Sequence, residues 1–413
     1  MTRQYCLALF LLASGCAAAP DAPEPAGAPA PAPSTGSPSP EAGSTPPPGL
    51  DLDSGVLPSA PEAVGTLRGS VFAPNGSVPI AGALLYLTPV KPAPIPAQVY
   101  CDACVKLAPG TPYALSDAKG AFELAPVATG AQYLVVQKGG FRRVREIYVS
   151  KGELTLPATL TTLPPKTDTA AGDDVPRMTV VRGAYDEIEA SLEKLGIAPE
   201  AIEIVHSPLI GVAAKAFLGD EQQLSGRHIV FLPCGDFTQP APNVDLSADA
   251  TIQENLRAFV GAGGRLYVTD WHYDFIARAF PGFVSFDGAT STACSGCGHL
   301  PYDAAAVIAD TGLGAWMGAQ GLSSFTLQKN YTSISSVQPV ASVTPRVWVN
   351  GSKQNAPARP ATVSFEHGCG RVLFSTYHTE PFSLELTPQE RALLGVLLEV
   401  SVCNDSPEGV IVK

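Results

Sequence analysis

The hydrophobic pattern changes its period near residue 176, and that change limits the chain to two differently built halves. From Gly65 to about Pro164 the apolar residues come in short alternating runs: "TLRGSVF", "ALLYLTPV", "GAFEL" and "QYLVVQKGGFRRVREIYV". "APNGSVPIAG" supplies turn chemistry between two of them, and Gly120 falls in a turn ahead of another. Short strands at this spacing predict an all-β sandwich. From Arg177 onward strand and helix alternate instead. "RMTVVRG", "AIEIVH", "RHIVFLPCG" and "RLYVTD" read as strands, and "YDEIEASLEKLG" and "TIQENLRAFVGAGG" as helices with Ile188, Leu192, Leu195 and Ile252, Leu256, Phe259, Val260 inward. A last unit pairs strand Arg371 to Tyr377 with a helix whose Thr387, Pro388 and Glu390 form a capping box. This alternation predicts βαβ units and a parallel sheet. The expected chain is multi-domain, with an all-β sandwich over 64–165 followed by an α/β domain over 176–405.

The amino terminus sets the expected compartment. "MTRQYCLALFLLASGC" has a positive charge at Arg3, an apolar run from Cys6 to Leu12, and small residues before Cys16. That is the layout of a secretory signal, too short to span a membrane. It resembles a bacterial lipoprotein signal, with Ser14-Gly15-Cys16 at the lipobox end; Ala13 stands where leucine is commonest. The resemblance implies removal of the residues before Cys16 and lipidation of Cys16 as the new amino terminus, with chains contributing about 0.8 kcal/mol per buried CH₂. Ala17, rather than aspartate, follows, which in that family implies the outer membrane. Residues 17–63 are dominated by Pro, Ala, Gly and Ser. They cannot offset chain entropy by burial, so they are expected to be a disordered, stiff tether reaching about 140 Å at most.

Charge narrows the partners. The net charge is −12 and the pI about 5.0, with no basic cluster beyond Arg142, Arg143 and Arg145. Phosphate binding needs a concentrated positive surface, so nucleic acid is not an expected partner. The expected attachment is to a membrane through lipid; a protein or carbohydrate partner is left open.

The first half resembles the carboxypeptidase regulatory-like, transthyretin-like domain. The landmarks are Gly69 and Val71, Pro79-Ile80-Ala81-Gly82-Ala83, Ser116 through Phe122, Tyr133-Leu134-Val135-Val136, and Gly140-Phe141. They are structural positions, so the resemblance implies no peptidase activity. The stretch 91–112 departs from that pattern and carries Cys101 and Cys104. In an oxidising compartment a local Cys101–Cys104 disulfide is expected over a metal site or a thioredoxin-type motif.

The second half resembles the class I glutamine amidotransferase-like, flavodoxin-like fold. "FLPCGDF" stands at that family's Pro-Gly-Gly turn, "GGRLYVTDWHYDF" at the strand and elbow of the nucleophile, and "FSTYHTEP" at the closing His-Pro-Glu. The elbow position falls on Asp270, which cannot form the family's thioester. The resemblance therefore implies a pseudoenzyme. Cys234 ends the third strand, and a relay of Cys234, His378 as base and Glu380 as its orienting group is the hydrolase alternative. Asp236, Asp270, His272 and His378, with Glu380, fall at strand ends and carry donors suited to a metal or a polar ligand, so they form the ligand-binding candidates; a satisfied hydrogen-bond network among them is the structural alternative.

The chain has nine cysteines, of which Cys6 leaves with the signal and Cys16 takes lipid. The last helix runs back beside the last strand, which predicts a Cys369–Cys403 disulfide. Cys294 and Cys297, with His299 two residues on, are expected as a local disulfide; zinc through those three is the alternative. No cofactor is otherwise expected. The leading expectation is a surface lipoprotein that binds or scaffolds; the others are the cysteine hydrolase and the zinc protein.

Overall fold

The computed structural model describes residues 62–400 apart from 102–104, 106, 184, 207–209, 236–244, 288–300, 353–355 and 380–382, and leaves the side chains at 210, 399 and 400 undescribed. The expected signal, Cys16 and all but the last two residues of the expected tether lie outside the described residues.

In chain order the strands are β1 (Gly65–Ser70), β2 (Leu84–Thr88), β3 (Tyr113–Leu115), β4 (Ala121–Leu124), β5 (Gly130–Lys138), β6 (Phe141–Val149), β7 (Gly152–Thr155), β8 (Asp173–Asp174), β9 (Met178–Val181) and β10 (Ile202–Val205). They continue as β11 (Ile229–Leu232), β12 (Arg265–Thr269), β13 (Val284–Phe286), β14 (Tyr302–Ile308), β15 (Thr326–Asn330), β16 (Ile334–Val337), β17 (Arg346–Ser352), β18 (Arg359–His367) and β19 (Gly370–Ser375). The helices are α1 (Ala158–Thr161), α2 (Ile188–Lys194), α3 (Ile210–Leu218), α4 (Glu221–Ser225), α5 (Ala250–Gly261), α6 (Tyr273–Ala279), α7 (Thr311–Ala319) and α8 (Pro388–Val400).

The amino-terminal β module has a three-stranded sheet, β4-β1-β7, and a five-stranded one, β3-β2-β5-β6-β8. Leu67 and Leu124 of the first share a core with Leu85, Leu87, Leu134 and Val136 of the second. Strand β1 runs antiparallel to β4 but parallel to β7. Gly120 takes φ +77°, and a Cβ there would meet Val71 O at 2.4 Å; the turn needs glycine on both counts. The basic cluster of the sequence is neutralised from within. Arg142 pairs with Asp174, and Arg143 and Arg145 both pair with Asp173.

The α/β half is built on a nine-stranded sheet in the order β10-β9-β11-β12-β19-β18-β17-β14-β15. Strands β10, β9, β11, β12 and β19 are mutually parallel, whereas β18, β17, β14 and β15 are joined antiparallel. The expected parallel sheet is therefore half of a mixed one. The added strands were hidden because β14 and β15 alternate irregularly between buried and exposed positions, β15 lying at the edge of the sheet.

Both faces of the central strands are covered, which is why β9, β11 and β12 read as continuous apolar runs. Ile229, Phe231, Tyr267 and Leu373 face α2, α7 and α8, while Val230, Leu232, Val268 and Phe374 face α3 to α6. Helix α5 buries Ile252, Leu256, Phe259 and Val260 as expected, and Asp249 caps it through the Thr251 and Ile252 N–H groups. The capping box of α8 forms, with Thr387 N donating to Glu390 Oε2 at 2.8 Å and Glu390 N to Thr387 Oγ1 at 3.4 Å.

The described residues belong to one compact unit, and the β module shares its core with α2, α7 and α8. At this seam Trp316 Nε1 donates to Pro79 O at 2.7 Å. Asn75 closes the end of α2, its N–H donating to Leu195 O and its Nδ2 to Lys194 O. Gly196, at φ +97°, lets the Asn75 backbone come this close; a Cβ would stand 2.2 Å from Asn75 N.

Residues 95–101 cross the amino edge of the parallel strands as a strap. Val99 N donates to Ser225 O at 2.8 Å, and His228 Nε2 lies 2.9 and 3.1 Å from Pro96 O and Gln98 O. Arg177 N donates to His228 Nδ1, so the imidazole is neutral with its proton on Nε2. The strap ends in a disulfide between Cys101 and Cys369, across a sequence separation of 268. This corrects the expected pairing of Cys101 with Cys104 and of Cys369 with Cys403. The strap carries Cys101 to the turn before β19, with Cα atoms 5.2 Å apart, and both sulfurs are used. Cys104, Cys294, Cys297 and Cys403 lie outside the described residues.

Candidate functional site

The parallel strands β11, β12 and β19 are adjacent and in register, with Leu232 opposite Val268 and Thr269 opposite Ser375. Their carboxyl ends therefore deliver Cys234, Asp270 and His378 to one place. One donor atom of each lies within 4.8 Å of the others. All three are buried, Asp270 to 0 % exposure and Cys234 to 1 %. Among the described residues Cys234 is the unpaired cysteine.

Asp270 sits at the bend from β12 into the turn that opens α6, and its φ is +43°. Left-handed backbone at a non-glycine residue costs roughly 1–2 kcal/mol, so the surrounding bonds must hold it. They do. Tyr331 N donates to Asp270 Oδ2 at 3.0 Å, and His378 Nε2 stands 2.8 Å from the same oxygen. The second contact is close without being a well-aimed hydrogen bond, and Asp270 Oδ1 is buried with no partner.

A network beneath the three residues fixes their backbones. Cys234 N donates to Thr269 Oγ1 at 2.7 Å, and Thr269 Oγ1 donates to Asp186 Oδ2 at 2.8 Å. The other Asp186 oxygen accepts from Thr379 N and Thr379 Oγ1. Gln389 Nε2 donates to His378 O at 2.9 Å. Gly183 makes room for the strand ends, since a Cβ there would meet Cys234 O at 2.4 Å.

Burial governs the proton equilibria. It pushes the Cys234 thiol up to about 11, with His378 opposing, so the sulfur is protonated at neutral pH. It also lifts the Asp270 carboxyl above its usual range despite the imidazole beside it. For His378 burial acts downward, but Asp270 and Cys234 outweigh it and hold the imidazole well above its ordinary value.

Of the residues chosen from sequence, Cys234, Asp270 and His378 come together. His272 is buried two residues beyond Asp270, its ring edge-on to Phe275 at 5.6 Å, and is not one of the converging donors. Asp236, Glu380 and the Cys294, Cys297, His299 set lie outside the described residues. Sequence reading missed Asp186, Tyr331 and Gln389. Asp186 carried a usable signal, as an aspartate just past a strand and ahead of a helix. Tyr331 carried none, because the antiparallel strands that bring it were not recognised. Also missed was a row of rings at the mouth: Tyr185 meets Trp271 at 5.1 Å, Trp271 meets Tyr331 at 5.3 Å, and Tyr331 stacks on His378 at 5.7 Å.

No protein-family model matches the chain, and no curated protein sequence matches it. Among solved structures it is similar to a ThuA-like protein from Bacteroides uniformis at 11% identity, covering 58% of this chain and 97% of that one with a TM-score of 0.35. A cytoplasmic protein from Salmonella typhimurium LT2 is similar at 11% identity, over 66% of this chain and 96% of that one, TM-score 0.32. A β-galactosidase from Rahnella sp. R3 is similar at 15% identity, over 56% of this chain and 32% of that one, TM-score 0.32. At these scores the likenesses carry no argument about function.

Proposed function

We propose that the chain is a lipid-anchored envelope protein with a binding or scaffolding role, whose α/β half is a catalytically silent relative of the amidotransferase-like fold. The observation that carries the silent crevice is Asp270: a carboxylate stands at the left-handed bend after the fourth strand, where acyl transfer by this fold needs sulfur. The anchor, the tether and the outer-membrane location rest on the sequence of residues 1–63. The reading of the β module as a carboxypeptidase regulatory-like sandwich is supported by Gly120 in its tight turn and Phe122 in the core.

A second reading, a cysteine hydrolase, is favoured by one fact: the Cys234 sulfur lies within 4.8 Å of the His378 and Asp270 donors. Against it, the thiol is buried and pushed up to about 11, so the thiolate is scarce near neutral pH. One experiment separates the two. The protein is treated at pH 7.5 with iodoacetamide and, separately, with a diazoketone analogue of glutamine, and intact mass is read with peptide mapping. The silent crevice leaves Cys234 unlabelled until the chain is unfolded. Rapid native labelling at Cys234 that disappears in His378→Ala, or a covalent alkyl adduct of the diazoketone on any pocket side chain, would overturn the first reading in favour of the second.

A further inference from the structure

We infer that Cys234, Asp270 and His378 together form a binding site for one divalent transition-metal ion, with zinc the best chemical fit. This goes beyond the binding role proposed above and does not depend on it.

The argument starts from the donor set. A sulfur, an imidazole nitrogen and a carboxylate oxygen, each from a different parallel strand, converge within 4.8 Å in a buried place. Thiolate and imidazole select borderline-soft metals over magnesium or calcium, and three protein ligands of mixed S, N and O type are within zinc's habit. At bond lengths of about 2.0–2.3 Å, ligand atoms on a tetrahedron are about 3.3–3.7 Å apart. The spread of 4.8 Å exceeds that by about 1 Å, the distance the three side chains would close on an ion.

A second observation points to a cation on its own. A purely structural hydrogen-bond network would satisfy its buried members, since an unpartnered buried acceptor costs about 1–3 kcal/mol. Here Asp270 Oδ1 is buried with no hydrogen-bond partner, while Oδ2 is held by Tyr331 N and lies 2.8 Å from His378 Nε2. A carboxylate with one oxygen unused, crowded against an imidazole and a thiol, is arranged as a ligand to share an ion with both once they give up their protons. The left-handed turn at Asp270 is then a device that holds the carboxylate at the strand end.

The outer contacts agree. Metal ligands are oriented by hydrogen bonds from behind. Tyr331 N holds the Asp270 carboxylate at 3.0 Å, the Tyr331 ring lies over the imidazole, and Thr269 holds the Cys234 backbone. Binding deprotonates both Cys234 and His378, whose protons pass to solvent as the sulfur–metal and nitrogen–metal bonds form, so no other reactant is required.

The test uses the full chain, made without a metal-binding tag, stripped with chelator and loaded separately with zinc and with cobalt(II). Metal per chain after gel filtration is measured by plasma mass spectrometry, and the cobalt form is examined for the near-ultraviolet band of sulfur bound to cobalt. Wild type is expected to retain about one metal per chain and to show the band. A Cys294→Ser, Cys297→Ser double variant is expected to match it. Cys234→Ser is expected to lose the band, and Asp270→Ala to weaken binding by more than the roughly 10–100-fold that loss of an outer partner costs. Circular dichroism checks that each variant is folded. Retention near zero in wild type, absence of the band, or a band that survives Cys234→Ser but vanishes in the Cys294, Cys297 variant overturns the site. If Cys234→Ser does not fold, the wild-type band and its persistence in the double variant still decide the matter.

Discussion

Replacing Gly196 by alanine tests whether the β module and the α/β half are held by close backbone contact. Gly196 follows α2 at φ +97°, and a Cβ there would stand 2.2 Å from Asn75 N and 2.6 Å from Pro74 C. Two costs add. The left-handed backbone penalises an L-side chain by about 1–2 kcal/mol, and forcing a methyl against immovable backbone adds about 1–3 kcal/mol. The second cost can also appear as separation of the seam, since Asn75 would lose its bonds to Leu195 O and Lys194 O. The expected loss is therefore about 2–5 kcal/mol. Gly110 provides the control: it too has positive φ, +80°, but nothing lies within 4 Å of its would-be Cβ. Gly110→Ala should cost only the backbone share, about 1–2 kcal/mol. Both variants would be measured by equilibrium urea unfolding. If the two losses agree within about 0.5 kcal/mol, the ordinary error of such comparisons, the seam is not packed as described.

Three further outcomes follow from the same geometry. Peptide mapping of unreduced protein should recover Cys101 linked to Cys369; a Cys101–Cys104 link in its place would refute the strap, and reduction should destabilise the protein by roughly 3–5 kcal/mol. Burial raises Asp173, but Arg143 and Arg145 more than offset it and hold the carboxyl below 3.8, so these ion pairs contribute fully at neutral pH and fade as pH falls through the lower folded value. Wild type should accordingly lose more urea stability between pH 5 and pH 3 than Asp173→Asn does, and equal losses would contradict the pairing. Trp316→Phe drops the bond to Pro79 O and leaves unfilled the buried space of the lost five-membered ring, so it should cost more than the about 1 kcal/mol of the bond alone by urea unfolding; no loss at all would mean that neither contributes.

What sequence could show divides along a physical line. The inward faces of α2 and α5 and the capping box of α8 were legible because they are local: periodicity and end chemistry lie within a few residues of each other. The meeting of Cys234, Asp270 and His378 was legible one step further, because parallel strands put their carboxyl ends on one edge. The disulfide was not, since proximity in sequence favoured Cys101 with Cys104, and nothing local reports where a proline-rich strap crosses a sheet. Tyr331 was likewise invisible, because β14, β15, β17 and β18 are antiparallel additions whose pattern is set by each other. His272 illustrates the reverse error: adjacency to Asp270 in sequence suggested a shared site, but the turn sends its ring toward Phe275.

The shared core at the seam also bears on how the protein can be divided. A fragment begun at residue 176, where the change of period invites a cut, would strip Pro79, Ile80 and Leu163 away from Leu313, Trp316, Leu195 and Ile197, and would remove one half-cystine of the strap. The helical layer would be left with a wet apolar flank and Cys369 with a bare thiol. Such a piece is expected to stick to its own copies. In the finished molecule the first 100-odd described residues close one side of the second half's interior.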